Sequence, residues 1–256
     1  MKVGEIQVES NPKILLYGSP GTGKTAFMLT YGEGLFVMDF DDGLLTGARL
    51  EDRFKDRRRS VEFERFVDQN PLQGRAFQRA KVFLYQLTNK LSRIKDHPDP
   101  NLPKALGVDS LTTLGDAAMR YVLGNNAQLK EGAMDPITMK YWGLAIREVD
   151  DFLQTLKSLP IPVIVVAHEG TYESDGDSQT RIAIYGKKLP DKVASYFHEI
   201  WRLRKKFLTG GKMDFVIQTQ ASPSTLARTR AQAKDGSSVS LGLREIIEGL
   251  GWSLSR

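Results

Sequence analysis

The sequence predicts an α/β protein: a mostly parallel sheet with helices on both faces. Two observations carry that expectation. Apolar, often β-branched runs of strand length recur along the 256 residues, separated by longer stretches of helical character. The first run, KILLYG, passes through GSPGTGKT (18–25) into AFMLTYG, a strand, loop and helix in succession. Strands that alternate with helices are joined by crossovers, which lay helices over both faces of a parallel sheet.

In chain order, KILLYG (13–18) reads as a buried strand ending at the glycine that opens the loop, and TAFMLTYG as a helix. LFVMDF (35–40) is a second strand, closed by DDG. A helical stretch spans about 74–94, and the turn-rich DHPDPNLP (96–103) connects it to a third strand, ALGVDS (105–110). Helices are expected near 113–123 and 137–159, the second ended by PIP. PVIVVAHE (162–169) is a fourth strand by its β-branched run, and HEIWRLR (198–204) and MDFVIQTQ (213–220) alternate well enough to be later ones. Between them, EGTYESDGDSQTR (169–181) has loop composition and follows a strand end, where open α/β sheets carry ligands. The expectation is one domain over residues 1–256, with a helical and basic insertion at about 44–104 and a nucleic-acid-binding loop at about 169–190.

Composition narrows the chemistry. With 41% hydrophobic and 26% charged residues the chain is of globular type, and its length buries a core without staples. The absence of cysteine excludes disulfides, cysteine-ligated zinc and a thiol nucleophile. His97, His168 and His198 are scattered, so no transition-metal site is expected. No apolar stretch approaches membrane-spanning length and the first residues lack a signal-type core, so a cytoplasmic protein without membrane contact is expected. Residues 181–212 carry nine Lys or Arg against two acids, a local excess greater than the +5 of the whole chain. An anionic partner is expected there.

GSPGTGKT matches G-x-x-x-x-G-K-[ST] in the strand–loop–helix setting that pattern requires. Gly18, Gly21 and Gly23 let the backbone turn its amides inward around phosphate oxygens, with Ser19, Pro20, Thr22 and Ala26 completing the cradle. Lys24 places a cation on the β and γ phosphates, and Thr25 offers a hydroxyl to Mg²⁺. ATP and Mg²⁺ are therefore the expected ligands. Asp109, ending a later buried strand, is the carboxylate expected to complete the Mg²⁺ site. MDFDDG (38–43) crowds three carboxylates at a strand end, for which a bound cation or water is one reason and solvation at a turn another.

At this point the chain resembles the RecA-type recombinase ATPases. LFVMDFDDG is similar to the strand of that family that ends in I-D-x-E, whose acid activates the attacking water; the resemblance places that role on Asp41, where the family has Glu. GVDS resembles the family's Walker B strand, VIVVAHE the strand that carries a γ-phosphate sensor, here His168, into the second DNA-binding loop, and ARTR (227–230) its paired basic residues at a subunit interface. GKKLPDKVASYF and IQTQASPSTLARTR extend the similarity to the phage-encoded RecA-like P-loop proteins of the single-strand annealing group, over nearly the whole chain. The resemblance implies a RecA-like P-loop core and Arg228 and Arg230 acting as fingers on a neighbour's nucleotide. It also implies a homo-oligomer, ring or filament, and cooperation with a single-strand DNA-binding protein.

Cations interleaved with aromatic residues suit a single strand, and Arg181, Lys187 and Lys188 are the residues expected to hold its backbone. The expected function is ATP-dependent binding of single-stranded DNA that promotes annealing in phage recombination. A motor or loader ATPase with a protein client, a small-molecule kinase and a nucleotide-dependent scaffold with little turnover are the alternatives. The kinase is disfavoured because the stretch after Asp41 shows no acceptor pocket.

Overall fold

The computed structural model describes residues 11–50, 52–70, 73–94, 99–125, 139–174, 177–185, 189–211 and 213–252. The first half runs β1 (Lys13–Gly18), α1 (Lys24–Leu29), β2 (Leu35–Asp39), α2 (Leu44–Ala48), α3 (Lys55–Arg59), β3 (Glu62–Arg65), α4 (Arg75–Ser92), β4 (Ala105–Asp109) and α5 (Leu111–Gly124). The second runs α6 (Met139–Ser158), β5 (Val163–Ser174), β6 (Asp177–Ile182), α7 (Leu189–Ala194), β7 (Glu199–Phe207), β8 (Met213–Gln218), β9 (Ser237–Ser238) and α8 (Leu243–Gly249). The sheet order is β3-β2-β4-β5-β1-β7-β8-β9, with β6 paired to β5. From β3 to β7 every pairing is parallel; β8, β9 and β6 join antiparallel.

Alternation along each central strand explains the layers. Leu15, Tyr17, Met38, Val108, Val163 and Val165 point to one face, under Phe77, Leu114, Phe152 and Val193 of α4 to α7. Ile14, Leu16, Val37, Ile164 and Val166 point to the other, under Phe27 and Met28 of α1 and Leu243 and Ile247 of α8. A strand buried on both sides has no polar alternation to show, so these runs are continuous and apolar. Burying each such Leu, Ile or Val is worth roughly 1.5–3 kcal/mol.

Two expectations are corrected. Residues 44–104 are integral to the fold: β3 extends the sheet parallel to β2, and α4 buries Phe77, Ala80, Leu84, Leu87 and Leu91 in the larger core. The segment looked peripheral because Glu62–Arg65 are all exposed, as suits a charged edge strand that resists pairing with other chains. Nor is 169–181 a loop. β5 continues to Ser174 and returns as β6, pairing Gly170 with Arg181 and Tyr172 with Gln179. Its polar sequence hides two largely half-buried strands, and the Asp175–Gly176 dipeptide was the available hairpin signal.

Because β1, β2, β4 and β5 are parallel, their C-terminal ends share one rim. Register places Asp39 beside Asp109, Asp109 beside Val166, and Gly18 beside His168.

Candidate active site

The loop of residues 18–25 turns tightly, with Gly21 and Gly23 at positive φ. Gly18 answers a close approach: a Cβ there would lie 2.5 Å from the carbonyl oxygen of Leu203 on β7. Thr22 Oγ1 donates to the Ser19 carbonyl at 2.8 Å. The buried Lys24 ammonium folds back onto the loop, donating to the carbonyls of Gly18 (2.9 Å) and Ser19 (3.0 Å). Burial pulls its pKa below the ordinary lysine value, against the opposing pull of Asp109, Glu169 and Asp41. A group so placed gains from a neighbouring phosphate, which would offset its desolvation.

Opposite Lys24, Thr25 Oγ1 donates to Asp109 Oδ2 at 2.6 Å. Asp109 Oδ1 is buried and has no hydrogen-bond partner, and neither has Asp39 Oδ2. Burial pushes the Asp109 carboxyl up to about 7, with Asp41 and Asp39 adding to the rise and the Thr25 hydroxyl opposing it. Buried polar atoms are rarely left without a donor, so two orphaned carboxylate oxygens beside the loop fit a hydrated cation. Among the described residues no three Asp, Glu or His cluster to hold a metal directly.

Asp41 is held differently. Its Oδ1 accepts from Ser110 Oγ at 3.1 Å and from Thr113 Oγ1, and its Oδ2 lies 3.3 Å from His168 Nε2. The two hydroxyls also form the capping box of α5, which ties the start of that helix to the carboxylate. Burial raises the Asp41 pKa, yet the hydrogen bonds from His168, Thr113 and Ser110 outweigh it and leave it below the ordinary aspartate value. Asp39 Oδ1 accepts the Asp41 amide at 3.1 Å, so it shapes the turn that presents Asp41. His168 is fixed from behind: its amide donates to Thr112 Oγ1 at 3.1 Å and its carbonyl accepts the Ala183 amide at 2.8 Å.

Sequence reasoning missed Glu169. It accepts from Arg202 Nε at 2.8 Å and from Ser19 Oγ in the phosphate loop. Burial raises its pKa, but Arg202 and Ser19 more than compensate and hold it low. The signal was its position, next to His168 at the rim on the strand between β1 and β4. Ser110 and Thr113 were also missed; their spacing, S-x-x-T after Asp109, was the signal.

The remaining expected residues divide. Arg228 is committed within its own chain: its guanidinium donates to the carbonyls of Ala194 (2.6 Å) and Phe197, pinning the end of α7. This corrects its reading as a free finger. Arg230 is exposed, and its amide donates to Glu199 Oε1 at 2.8 Å. Glu199 pairs with Ile14, four residues before Gly18, so the amide of Arg230 meets β7 roughly 13 Å along the strands from the phosphate loop's level. Arg228 makes an isolated antiparallel bridge to Ile200. Arg181 lies on β6, its Nε donating to Gln179 Oε1 at 2.9 Å; Lys187 and Lys188 lie outside the described residues. Of the basic run, Lys192 pairs with Asp150 and Arg202 with Glu169, while Arg204, Lys205 and Lys206 project from the end of β7. Tyr196, Phe197 and Trp201 are buried in the core; Phe207 is 78% exposed. No described helix is long and apolar enough to cross a membrane.

No curated protein sequence matches the chain. Among solved structures, a prototypical ATPase from the type III secretion system of pathogenic bacteria is similar at 14% identity and a TM-score of 0.43. The similarity covers 76% of this chain and 52% of that one, so this chain spans about half its length. A family profile described as an AAA domain matches residues 10–231. Phosphate loop, strand-end carboxylates and this match lead to one conclusion: the chain belongs to the AAA-domain family of P-loop ATPases.

Proposed function

We propose that the chain is a Mg²⁺-dependent ATP hydrolase that binds single-stranded DNA, acts as a homo-oligomer and promotes strand annealing in phage recombination. The observation that carries the proposal is the Asp41–His168 contact at the base of the β5–β6 hairpin. It links the carboxylate assigned here to the attacking water to an arm that leaves the sheet.

Thr25 and Asp109 are the side chains that would hold Mg²⁺, which would supply positive charge to the transferring phosphates. Lys24 moves from the carbonyls of Gly18 and Ser19 to phosphate oxygen. Asp41, kept ionised and fixed by Ser110 and Thr113, orients the attacking water. A carboxylate held below its ordinary pKa is a weak proton acceptor, so its contribution is placement, which is what a loose phosphoryl-transfer transition state needs. His168 shares Asp41 with that water and transmits the change to the hairpin carrying Arg181. Arg230 is the group that would reach a neighbour's phosphates.

Single-strand affinity measured across a salt series, with and without a nonhydrolysable ATP analogue, tests this. The analogue is expected to tighten binding, with affinity falling steeply as salt rises. Equal affinity in both states would remove the coupling. A protein client is the second reading, favoured by the exposed Phe207, Leu208 and Met213 of the β7–β8 hairpin.

A further inference from the structure

No pocket beyond Asp41 is visible in the sequence, yet the structure has one. Where β2 and β3 end, a polar cleft of about 550 Å³ opens between Asp42, Arg65, Asp68, Gln73, Arg75 and Arg79. Its volume is that of a small-molecule site.

The three arginines are in different states. Arg79 is preset: it donates to the carbonyls of Arg65 (3.2 Å) and Val67 (3.3 Å) and lies over the Phe66 ring, 5.6 Å from its centre. Arg75 is exposed and has no hydrogen-bonding or ionic partner among the described residues. Arg65 is held by Asp42 at 2.8 Å, an exposed pair that an incoming anion can exchange. Asp68 spends Oδ1 on the Ala76 amide at 2.7 Å, and its buried Oδ2 has no partner. Guanidinium groups match phosphate oxygens in pairs, while a carboxylate oxygen and the Gln73 amide suit hydroxyl or base groups.

We propose that this cleft binds a nucleotide through its phosphate, with Arg75 and Arg65 as the phosphate ligands and Asp42 as the built-in competitor. The nucleotide is either free or one unit of a single strand. Asp42 adjoins Asp41 and sits at φ 55°, a conformation few non-glycine residues adopt. Phosphate on Arg65 releases Asp42 and loosens the turn that presents Asp41, so occupancy of the cleft alters ATP turnover. That last link rests on the hydrolase reading; the binding itself does not.

The test titrates thymidine monophosphate and an oligothymidylate into the full chain with the phosphate loop saturated by a nonhydrolysable ATP analogue. Arg75→Gln is expected to weaken binding about 10-fold, the scale of one charge-assisted hydrogen bond. Asp42→Asn is expected to tighten it several-fold, an opposite sign that general loss of structure would not produce. A response with the mononucleotide supports a free nucleotide, and a response with the oligomer alone supports a strand unit. Changes below twofold in both variants with both probes, or weaker binding in Asp42→Asn, overturn the proposal. Analogue affinity in the same samples reports separately on the phosphate loop, and the titration repeated in Lys24→Ala keeps the cleft testable if that reading fails.

Discussion

Asp109 ends β4 and Asp41 follows the neighbouring β2, both are largely removed from water, and their acidities move in opposite directions. Asp109 has one hydroxyl donor, an orphaned oxygen and two carboxylates nearby, and its pKa rises to about 7. Asp41 has two hydroxyls and an imidazole, and its pKa falls. Burial raises both; deeper burial and two neighbouring carboxylates carry Asp109 up, while a fuller set of donors brings Asp41 down. A buried carboxylate short of donors is a place for a cation, whereas one saturated with donors is a fixed charge that positions its neighbours.

The contrast breaks most severely at Asp41. Asp41→Asn is expected to lower ATP turnover by about 10²-fold, the scale of a misplaced reacting group. Analogue affinity should stay within about twofold, and wild-type turnover in a steady-state assay would remove Asp41 from the reaction. Next comes Asp109→Asn, expected to weaken Mg²⁺-dependent ATP binding by about 10-fold or more. In the absence of nucleotide the same change is expected to stabilise the fold at pH 8 by about 1–3 kcal/mol, because it removes an unpaired buried charge. A loss of stability there, by thermal unfolding, would show that the charge already has a partner.

A pH series sharpens the same contrast. Between the ordinary aspartate value of 3.8 and about 7, folded Asp109 retains a proton that the unfolded chain has released. Its contribution to stability therefore declines as pH rises through that window and levels off above it. Asp41 contributes the opposite slope, present above the ordinary value and lost as pH falls through its lowered pKa. Urea unfolding of nucleotide-free protein from pH 5 to 8 should show the first decline, and Asp109→Asn should flatten it; identical slopes in both proteins would contradict the assignment. The smallest effect is expected at Glu169. Glu169→Gln weakens its pair with Arg202 and should raise the KM for ATP about two- to fivefold with little change in kcat, since the exchange touches Ser19 and leaves Lys24 in place.

What could be read from the residues alone was whatever a local pattern dictates. GSPGTGKT and the apolar strands have signatures a few residues long, so β1, β2, β4, β5, β7 and β8 were legible, as were Lys24, Thr25, Asp109 and Asp41 as candidates. The edge strand β3 was hidden because an exposed strand carries no apolar face, and the β5–β6 hairpin because its half-buried residues are mostly polar. Glu169 needed sheet register, which brings residues from distant positions to one rim. Arg228 misled for the same reason: its partners, Ala194 and Phe197, lie more than thirty residues away.

One strand, β5, runs without interruption from the core through His168 to Ser174. From His168 to Ser174 it extends about 20 Å beyond the reacting end of the sheet. If the hydrolase reading holds, this extension would serve as a lever with its fulcrum at the imidazole. A tilt of about 10° at that fulcrum would carry the tip roughly 3.5 Å, about the separation of stacked bases along a strand, so a sub-ångström change in how Asp41 is shared can be felt as a step-sized movement at the far end.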